Sequence, residues 1–415
     1  MKTCLYCGGI LQTEVLDLGF SPISNEMLTE TNVGQPQLFY PLKTYFCDNC
    51  YLMQVSEIIS PKKLFNDYTY FSSYSASWLK HAEVYSKKII DRLKLSSKNF
   101  VVEIASNDGY LLQNFLDRNI PVLGIEPAEN VAAVAQEKGI NTLVDFFDAG
   151  LAEKLISEYG KADLIIANNV FAHVPDIKGF VKGLKILLAE NGVITIEFPH
   201  LLNLIKETQF DTIYHEHFSY FSLITANKIF SESGLKIFDV EKLKTHGGSL
   251  RIYVTHVNSD WQTVSQNVTT TIREEEIFGL NNPEVFKNFG TRVKQIKRNL
   301  LDLLIKIKND GKTIIAYGAP AKGNVLLNYC GIGTDFIDYT VDKNPYKQNK
   351  FLPGTAIPVF SPDKIKETKP DYILILPWNL KNEIMAQLEY TAEWNAKFII
   401  PIPEPMIIKT PVGVL

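Results

Sequence analysis

Cysteine is scarce in this chain, five residues in 415, and the count is odd. A disulfide lattice of the kind that staples small secreted domains is neither needed at this size nor indicated. Excess charge is missing as well: 42 Lys and Arg stand against 46 Asp and Glu, a formal −4, with a pI near 6.0. That balance gives no basic footprint for nucleic acid or an anionic membrane. No apolar run reaches the roughly 20 uncharged residues that span a bilayer, and the opening MKTCLYCGGI carries no export-type apolar segment. A reducing cytoplasm is the expected setting. Internal repeats, low-complexity tracts and a heptad seam are also absent. So are GxGxxG and HExxH, which disfavours a pyrophosphate cofactor such as NAD and removes a helical zinc hydrolase.

What is present is a globular composition, 46% hydrophobic, long enough for two or three domains. Four of the cysteines form two tight pairs, Cys4/Cys7 and Cys47/Cys50, in the pattern C-x2-C-x39-C-x2-C. Folding back of the intervening segment lets four thiolates converge, and four soft anionic ligands at tetrahedral spacing favour Zn²⁺ in a closed, structural shell over an iron–sulfur cluster or redox pairs. Cys330 reads as a small buried hydrophobe. The expected divisions are a zinc-binding domain at 1–66, a central α/β domain at 67–258, a helical connector at 259–305 and a second, Rossmann-like α/β unit at 306–415.

The central region alternates strand-like runs at 100–106, 122–127, 142–147, 163–169 and 192–199 with helix-like intervals at 110–118, 128–139 and 180–192, the βαβ rhythm of a mostly parallel sheet. Runs at 235–243 and 249–257 read as a closing antiparallel pair, for seven strands in all. The strand ends carry polar groups in order. Glu103 is followed by Ala105, Asn107 and Gly109 in a small polar turn, Glu126 ends the next run, Asp145 the third, and Asn168 with Asn169 the fourth. Such a carboxyl edge suits an adenosine-bearing ligand, with Glu126 placed to accept ribose hydroxyls and Asp145 to serve the adenine edge.

The densest unusual stretch is Tyr214-His215-Glu216-His217-Phe218-Ser219-Tyr220, preceded by Pro199-His200 at a strand end. Three of the seven histidines lie between 200 and 217. Histidine can exchange a proton near neutral pH, a carboxylate can orient it, and tyrosine can donate to a developing oxyanion. Extended backbone would put Tyr214 and Glu216 on one side and both histidines on the other, whereas a turn would gather Tyr214, Glu216 and His217; both arrangements are open.

With these residues in view the chain resembles the S-adenosylmethionine-dependent nucleotide-sugar C-methyltransferases, known as 3-C-methyltransferases of 4-keto-deoxysugar nucleotides. The likeness spans nearly the whole chain. It runs through both cysteine pairs, Phe20-Ser21-Pro22, Tyr68-x-Tyr70, Glu103 to Gly109, Gly124-Ile125-Glu126-Pro127, Asn169 to His173, Tyr214 to Tyr220, Tyr317 to Gly323 and Asp342-x-Asn344-Pro345-x-Lys347. The resemblance implies a zinc-binding lobe, a central class I methyltransferase fold and a C-terminal Rossmann-like lobe. It implies that the Glu103–Gly109 segment and Glu126 bind S-adenosylmethionine, a set to which the reading of the strand ends adds Asp145 and Asn168; Tyr70 is counted with them and lies, like His173, near the substrate. It places Glu216 and His217 at the reacting sugar carbon with Tyr214 adjacent, and has Lys322 and Asp342 line the nucleotide-sugar side, where His200 is also expected. The expected chemistry is removal of the C3 proton beside a C4 ketone by His217, with Glu216 orienting it and Tyr214 or His173 stabilising the oxygen, then attack on the sulfonium methyl. The competing readings are a small-molecule O-methyltransferase and a noncatalytic binding module built around the zinc lobe.

Overall fold

The computed structural model describes residues 2–56, 58–65 and 71–410. Its first strands, β1 (Thr13–Ser21), β2 (Tyr40–Phe46) and β3 (Met53–Val55), form an antiparallel meander. One cysteine turn precedes β1 and another joins β2 to β3. In the first, Gly8 N–H donates to Cys4 O (3.0 Å) and Cys4 N–H to Gly9 O (2.8 Å); in the second, Tyr51 N–H donates to Cys47 O (2.8 Å) and Cys47 N–H to Leu52 O (2.9 Å). The two turns are the same structure, since Gly8 (φ 72°) and Tyr51 (φ 64°) occupy equivalent left-handed positions. The turn demands that conformation even where a bulky residue must adopt it. The four sulfurs lie within 4.8 Å of one another, with Cys4–Cys50 at 3.4 Å and Cys7–Cys47 at 3.5 Å. A tetrahedral Zn–S bond of about 2.3 Å needs sulfurs about 3.8 Å apart, so the set can coordinate a structural Zn²⁺.

The central sheet takes β4 (Val101–Ile104), β5 (Val122–Ile125), β6 (Thr142–Leu143), β7 (Ala162–Asn168) and β8 (Leu188–Pro199) in parallel. A two-residue strand, β9 (Ser219–Tyr220), then leaves this lobe, and β10 (Leu235–Leu243) and β11 (Ser249–His256) return to it antiparallel. The order is β10-β11-β8-β7-β4-β5-β6, so the closing pair expected from sequence docks on β8. The strands are nearly continuous in apolar residues because helices cover both faces. Three expected intervals differ in extent. The helix expected over 180–192 runs Ile177–Leu187 and passes directly into β8, while that over 110–118 contracts to Gln113–Leu116 and the run at 142–147 to β6. Asn114 explains part of the second: its side-chain amide donates to Leu111 O (3.0 Å), drawing the chain into turns.

The C-terminal lobe is a second seven-stranded sheet in the order β14-β15-β13-β12-β16-β17-β18, made from β12 (Ile314–Tyr317), β13 (Thr340–Val341), β14 (Lys350–Phe351), β15 (Pro358–Phe360), β16 (Tyr372–Ile375), β17 (Lys397–Ile400) and β18 (Met406–Lys409). Between the lobes, helix Phe289–Asn309 buries Phe289, Val293, Ile296, Leu300, Leu304 and Ile307, a stripe at spacings of three and four. That stripe shares one core with Val15 and Leu16 of β1 and with the C-terminal strands. The connector thus welds the first and last lobes together. Among the described residues, no helix is long and apolar enough to cross a membrane.

One pairing bears directly on the site. Strand β9 completes the first sheet, in the order β1-β2-β3-β9, with Met53 opposite Tyr220 and Gln54 opposite Ser219. Val55 N–H donates to Phe218 O (3.0 Å). Strand β3 begins three residues after Cys50, so the cysteine cluster sets the register of the segment that follows His217. Replacing Cys50 with Ser, or stripping the metal with a chelator, is expected to lower the melting temperature by about 10 °C and to release amide-exchange protection at 53–55 and 218–220 together. Protection unchanged at 218–220 would show that the cluster does not hold this segment.

Candidate active site

The carboxyl ends of β4 to β7 open into a cavity of about 620 Å³, closed on its other sides by Asn25 and Ser60–Lys62 of the first lobe and by Pro320–Lys322 and Lys347 of the last. Such an edge is where open α/β sheets bind ligands.

At the β4–β5 end, the turn after β4 carries Ala105, Asn107 and Gly109 at φ 55°, 50° and 75°. Glycine takes such positions most readily; here Ala105 adopts one at a strain cost of about 1–2 kcal/mol, and Asn107 another at less, since asparagine tolerates the left-handed region. Ala105, Asn107 and Glu126 line the cavity. Asn107 Oδ1 accepts from Ser72 N–H at 2.8 Å. Glu126 accepts the N–H groups of Asn107 (2.9 Å) and Ala128 (2.9 Å) and retains lone pairs for a ligand. Burial raises its pKa to about 7, against those two hydrogen bonds. Asp145 and Asn168 also line the cavity, joined by Asn169, and Asn168 Oδ1 with both side-chain polar atoms of Asn169 is buried without a hydrogen-bond partner among the described residues. Polar atoms so placed need a ligand or water, and with Glu126 they fit an adenosine-type group.

Two residues expected here stand behind the surface. Glu103 does not line the cavity; burial, then the charges of Glu126 and Asp108, push its pKa well above its ordinary value, and its Oε2 has no partner among the described residues. It lies beneath the turn. Gly109 is needed for packing, because a Cβ there would stand 2.2 Å from Ile140 Cδ1. Tyr70 lies outside the described residues.

At the other end the Tyr214–His217 segment forms a tight turn, His217 N–H donating to Tyr214 O at 2.9 Å. The turn brings Tyr214 and His217 together and sends the two residues between them elsewhere. His217 Nδ1 faces Thr212 O (2.9 Å) and His173 Nδ1 faces Glu216 O (2.6 Å). A carbonyl only accepts, so both Nδ1 atoms carry the proton and both Nε2 atoms are bare. Tyr214 hydroxyl donates to His217 Nε2 at 2.7 Å. Burial lowers the His173 pKa to about 4 and that of His217 well below its ordinary value, with His173 adding to the latter. Both rings are neutral and their centroids are 4.8 Å apart.

Glu216 does not orient His217 and does not line the cavity. Its carboxylate accepts Asn25 Nδ2 on both oxygens (2.8 Å each), and burial raises its pKa to about 7 despite Asn25 and Lys347. Lys347 donates in turn to Ala319 O (2.8 Å), so Glu216 stands where the three lobes meet. His215 turns toward Pro41 O (3.2 Å). His200 is likewise removed from the cavity; its Nε2 bonds Glu275 Oε1 (2.6 Å), which also accepts Leu223 N–H (2.7 Å). Asp342 acts from behind, accepting Ala319 N–H (2.7 Å) and Asn344 N–H (2.8 Å) and thereby shaping two loops that do line the cavity. Lys322 reaches the wall directly, its Nζ 2.9 Å from Asn379 Oδ1 and 4.8 Å from the centre of the Trp378 ring. Sequence reading missed Trp78, His246 and Asn25, all on the cavity wall. The one local signal was the His-Gly-Gly turn at 246–248.

Models of three families match the chain: a putative zinc binding domain at 4–65, a methyltransferase domain at 78–240 and a C-methyltransferase C-terminal domain at 244–403. The C-methyltransferase NovU of Streptomyces niveus is 35% identical over 405 residues, covering 98% of this chain and 96% of its own. Solved structures include a magnesium protoporphyrin IX methyltransferase from Synechocystis with bound S-adenosylmethionine (15% identity, 43% of this chain and 81% of its own, TM-score 0.33). Another is a protein from Pyrococcus horikoshii (15% identity, 48% and 100%, TM-score 0.37). These last two scores carry no weight beside the full-length match. With its three family segments in order and a relative alike from end to end, the chain belongs to the C-methyltransferases, S-adenosylmethionine-dependent enzymes.

Proposed function

We propose that this enzyme methylates C3 of a 4-keto-deoxysugar nucleotide through an enolate, and that the Tyr214–His217 pair handles the proton. The observation that carries the reading is the hydrogen bond from Tyr214 hydroxyl to a bare His217 Nε2 on the cavity wall. S-Adenosylmethionine, held by Glu126, Asn107, Asp145 and the asparagines after β7, supplies an electrophilic methyl group. Carbon is a poor nucleophile until a neighbouring ketone acidifies its C–H, so the protein's task is to take that proton and support the oxygen that gains charge.

The Tyr214 O–H first turns from His217 Nε2 to the substrate's ketone oxygen, which frees the nitrogen lone pair. His217 Nε2 then accepts the proton from carbon, and the Tyr214 O–H already on the oxygen meets the charge as it forms. One proton passes from carbon to nitrogen, and one hydrogen bond changes its acceptor. A ketone at C4 acidifies C5 as well as C3; the methyl is assigned to C3 by family resemblance. Lys322 and Lys347 give the same end of the cavity a positive character suited to a diphosphate.

The deciding experiment is incubation with S-adenosylmethionine and a panel of 4-keto-deoxysugar nucleotides, with product NMR locating the new methyl. A methyl on oxygen, or on C5, would sink the assignment. His217→Asn is expected to lower kcat by about 10²–10⁴-fold and to abolish solvent exchange of the C3 hydrogen. Glu216→Gln, whose side chain faces Asn25, should cost at least about tenfold less; equal losses would return Glu216 to the reaction centre.

Cofactor affinity should depend on pH through Glu126. Its ionised form accepts ribose hydroxyls, and protonation near pH 7 removes that capacity, so affinity is full above pH 7 and falls as pH drops through it. The Kd for S-adenosylmethionine should rise about tenfold from pH 8 to pH 6 by calorimetry, and Glu126→Gln should flatten the profile.

A further inference from the structure

The turn Thr245–Gly247 enters β11 at the cavity rim. His246 sits there at φ 52°, ψ 24°, followed by Gly247 at φ 87° and Gly248 at φ 113°. A left-handed histidine is sterically unfavourable by roughly 1–2 kcal/mol and persists only if its surroundings impose it. They do: Thr245 Oγ1 donates to Glu197 Oε1 (2.7 Å), Gln209 Nε2 to Gly247 O (2.8 Å) and Ser249 Oγ to Thr245 O (3.0 Å). Glu197 is itself fixed. Burial opposes its ionisation, but His81 and Arg251 outweigh that and hold its pKa at about 2. No side chain fits at the next two positions, since a Cβ at Gly247 would meet Trp378 at 2.8 Å and one at Gly248 would meet Asn203 at 2.1 Å.

This rigid turn presents an imidazole to the cavity. Its ring lies 5.2 Å from Trp78 in an edge contact, and neither ring nitrogen has a hydrogen-bond partner among the described residues. The other two histidines on the wall have their N–H groups engaged by backbone carbonyls. Only the imidazole of His246 therefore offers a free N–H as well as a bare nitrogen. Burial and the charge of Lys322 lower its pKa to about 4, so it meets a ligand uncharged.

Its place on the sheet identifies the ligand. From β5, where Glu126 stands, the order runs β4, β7, β8, β11, four strand spacings or about 19 Å. Glu126, the residue proposed above to hold the cofactor's ribose, stands at one end of this edge and His246 at the other, beside Trp378 and Lys322. We propose that His246 is a specificity-determining residue that contacts the sugar of the second substrate, its neutral ring exchanging hydrogen bonds with an uncharged oxygen substituent. A hydroxyl can accept from the N–H or donate to the bare nitrogen, and a carbonyl can accept from the N–H; an ammonium substituent could only donate, and would do so beside the charge of Lys322. The inference rests on the methyl-transfer reading above.

The test is a histidine footprint on the full chain saturated with S-adenosylhomocysteine, using diethyl pyrocarbonate and peptide mass spectrometry. His246 should react, and a 4-keto-6-deoxyhexose nucleotide should protect it at least fivefold whereas the nucleoside diphosphate alone should not. Equal labelling with and without the sugar nucleotide, or protection by the diphosphate alone, overturns the proposal. His246→Gly and His246→Asn both tolerate positive φ, so neither should lower the melting temperature or change the Kd for the cofactor. The Gly variant should raise KM for the sugar nucleotide at least tenfold and the Asn variant less. A KM within twofold of the unaltered protein for the Gly variant also overturns it. Failure of the unaltered protein to transfer methyl strikes the reaction assignment, whereas normal transfer with His246 unprotected strikes this inference alone.

Discussion

Two backbone carbonyls govern the chemistry available to this site. Thr212 O and Glu216 O each take the Nδ1 proton of a histidine, His217 and His173, and so decide that the face each ring turns to the cavity is a lone pair. A neutral imidazole pinned in the opposite tautomer could only donate. Burial lowers the pKa of both rings and so favours their neutral forms near neutral pH.

The carbonyls are fixed because the segment from Phe210 to Tyr220 is gripped by all three lobes. Asp211 accepts Trp378 Nε1 of the last lobe at 2.6 Å. Glu216 receives Asn25 of the first lobe, and β9 pairs with β3. The first and last lobes also hold each other directly, through Asn324 Nδ2 to Ser24 O (2.6 Å) and a two-way bridge between Leu28 and Phe351. Each contact is worth on the order of 1 kcal/mol; several converging on one short segment suppress its local motion more than any single bond could.

Much of this architecture was legible because it is carried by local pattern. Alternating strand and helix periods marked the central sheet, and cysteine spacing marked the metal cluster. The order of polar strand ends located the cavity, where Ala105, Asn107, Glu126, Asp145 and Asn168 all lie. What stayed hidden depends on which way a side chain turns. Glu216 and His217 are neighbours, yet one faces Asn25 and the other the cavity, and only a tight turn at Tyr214 determines this. Glu103 looked like a ligand contact because strand-end acids often are, but it points beneath the turn. His200 was drawn off by Glu275, a residue 75 positions away, which no local reading could pair with it. His246 escaped notice for the reverse reason, since nothing in its own short turn announces that other lobes clamp it.

The strand exchange between β3 and β9 has a consequence for how such proteins can be recombined. Family boundaries drawn along the chain suggest that the first sixty-odd residues could be swapped between relatives as a cassette. The sheet of that lobe, however, ends in a strand encoded more than 150 residues later, and a transplanted N-terminal piece would face a foreign edge. Hybrids that keep the native partner of β3 preserve this joint; those cut at the apparent domain border divide a single folding unit.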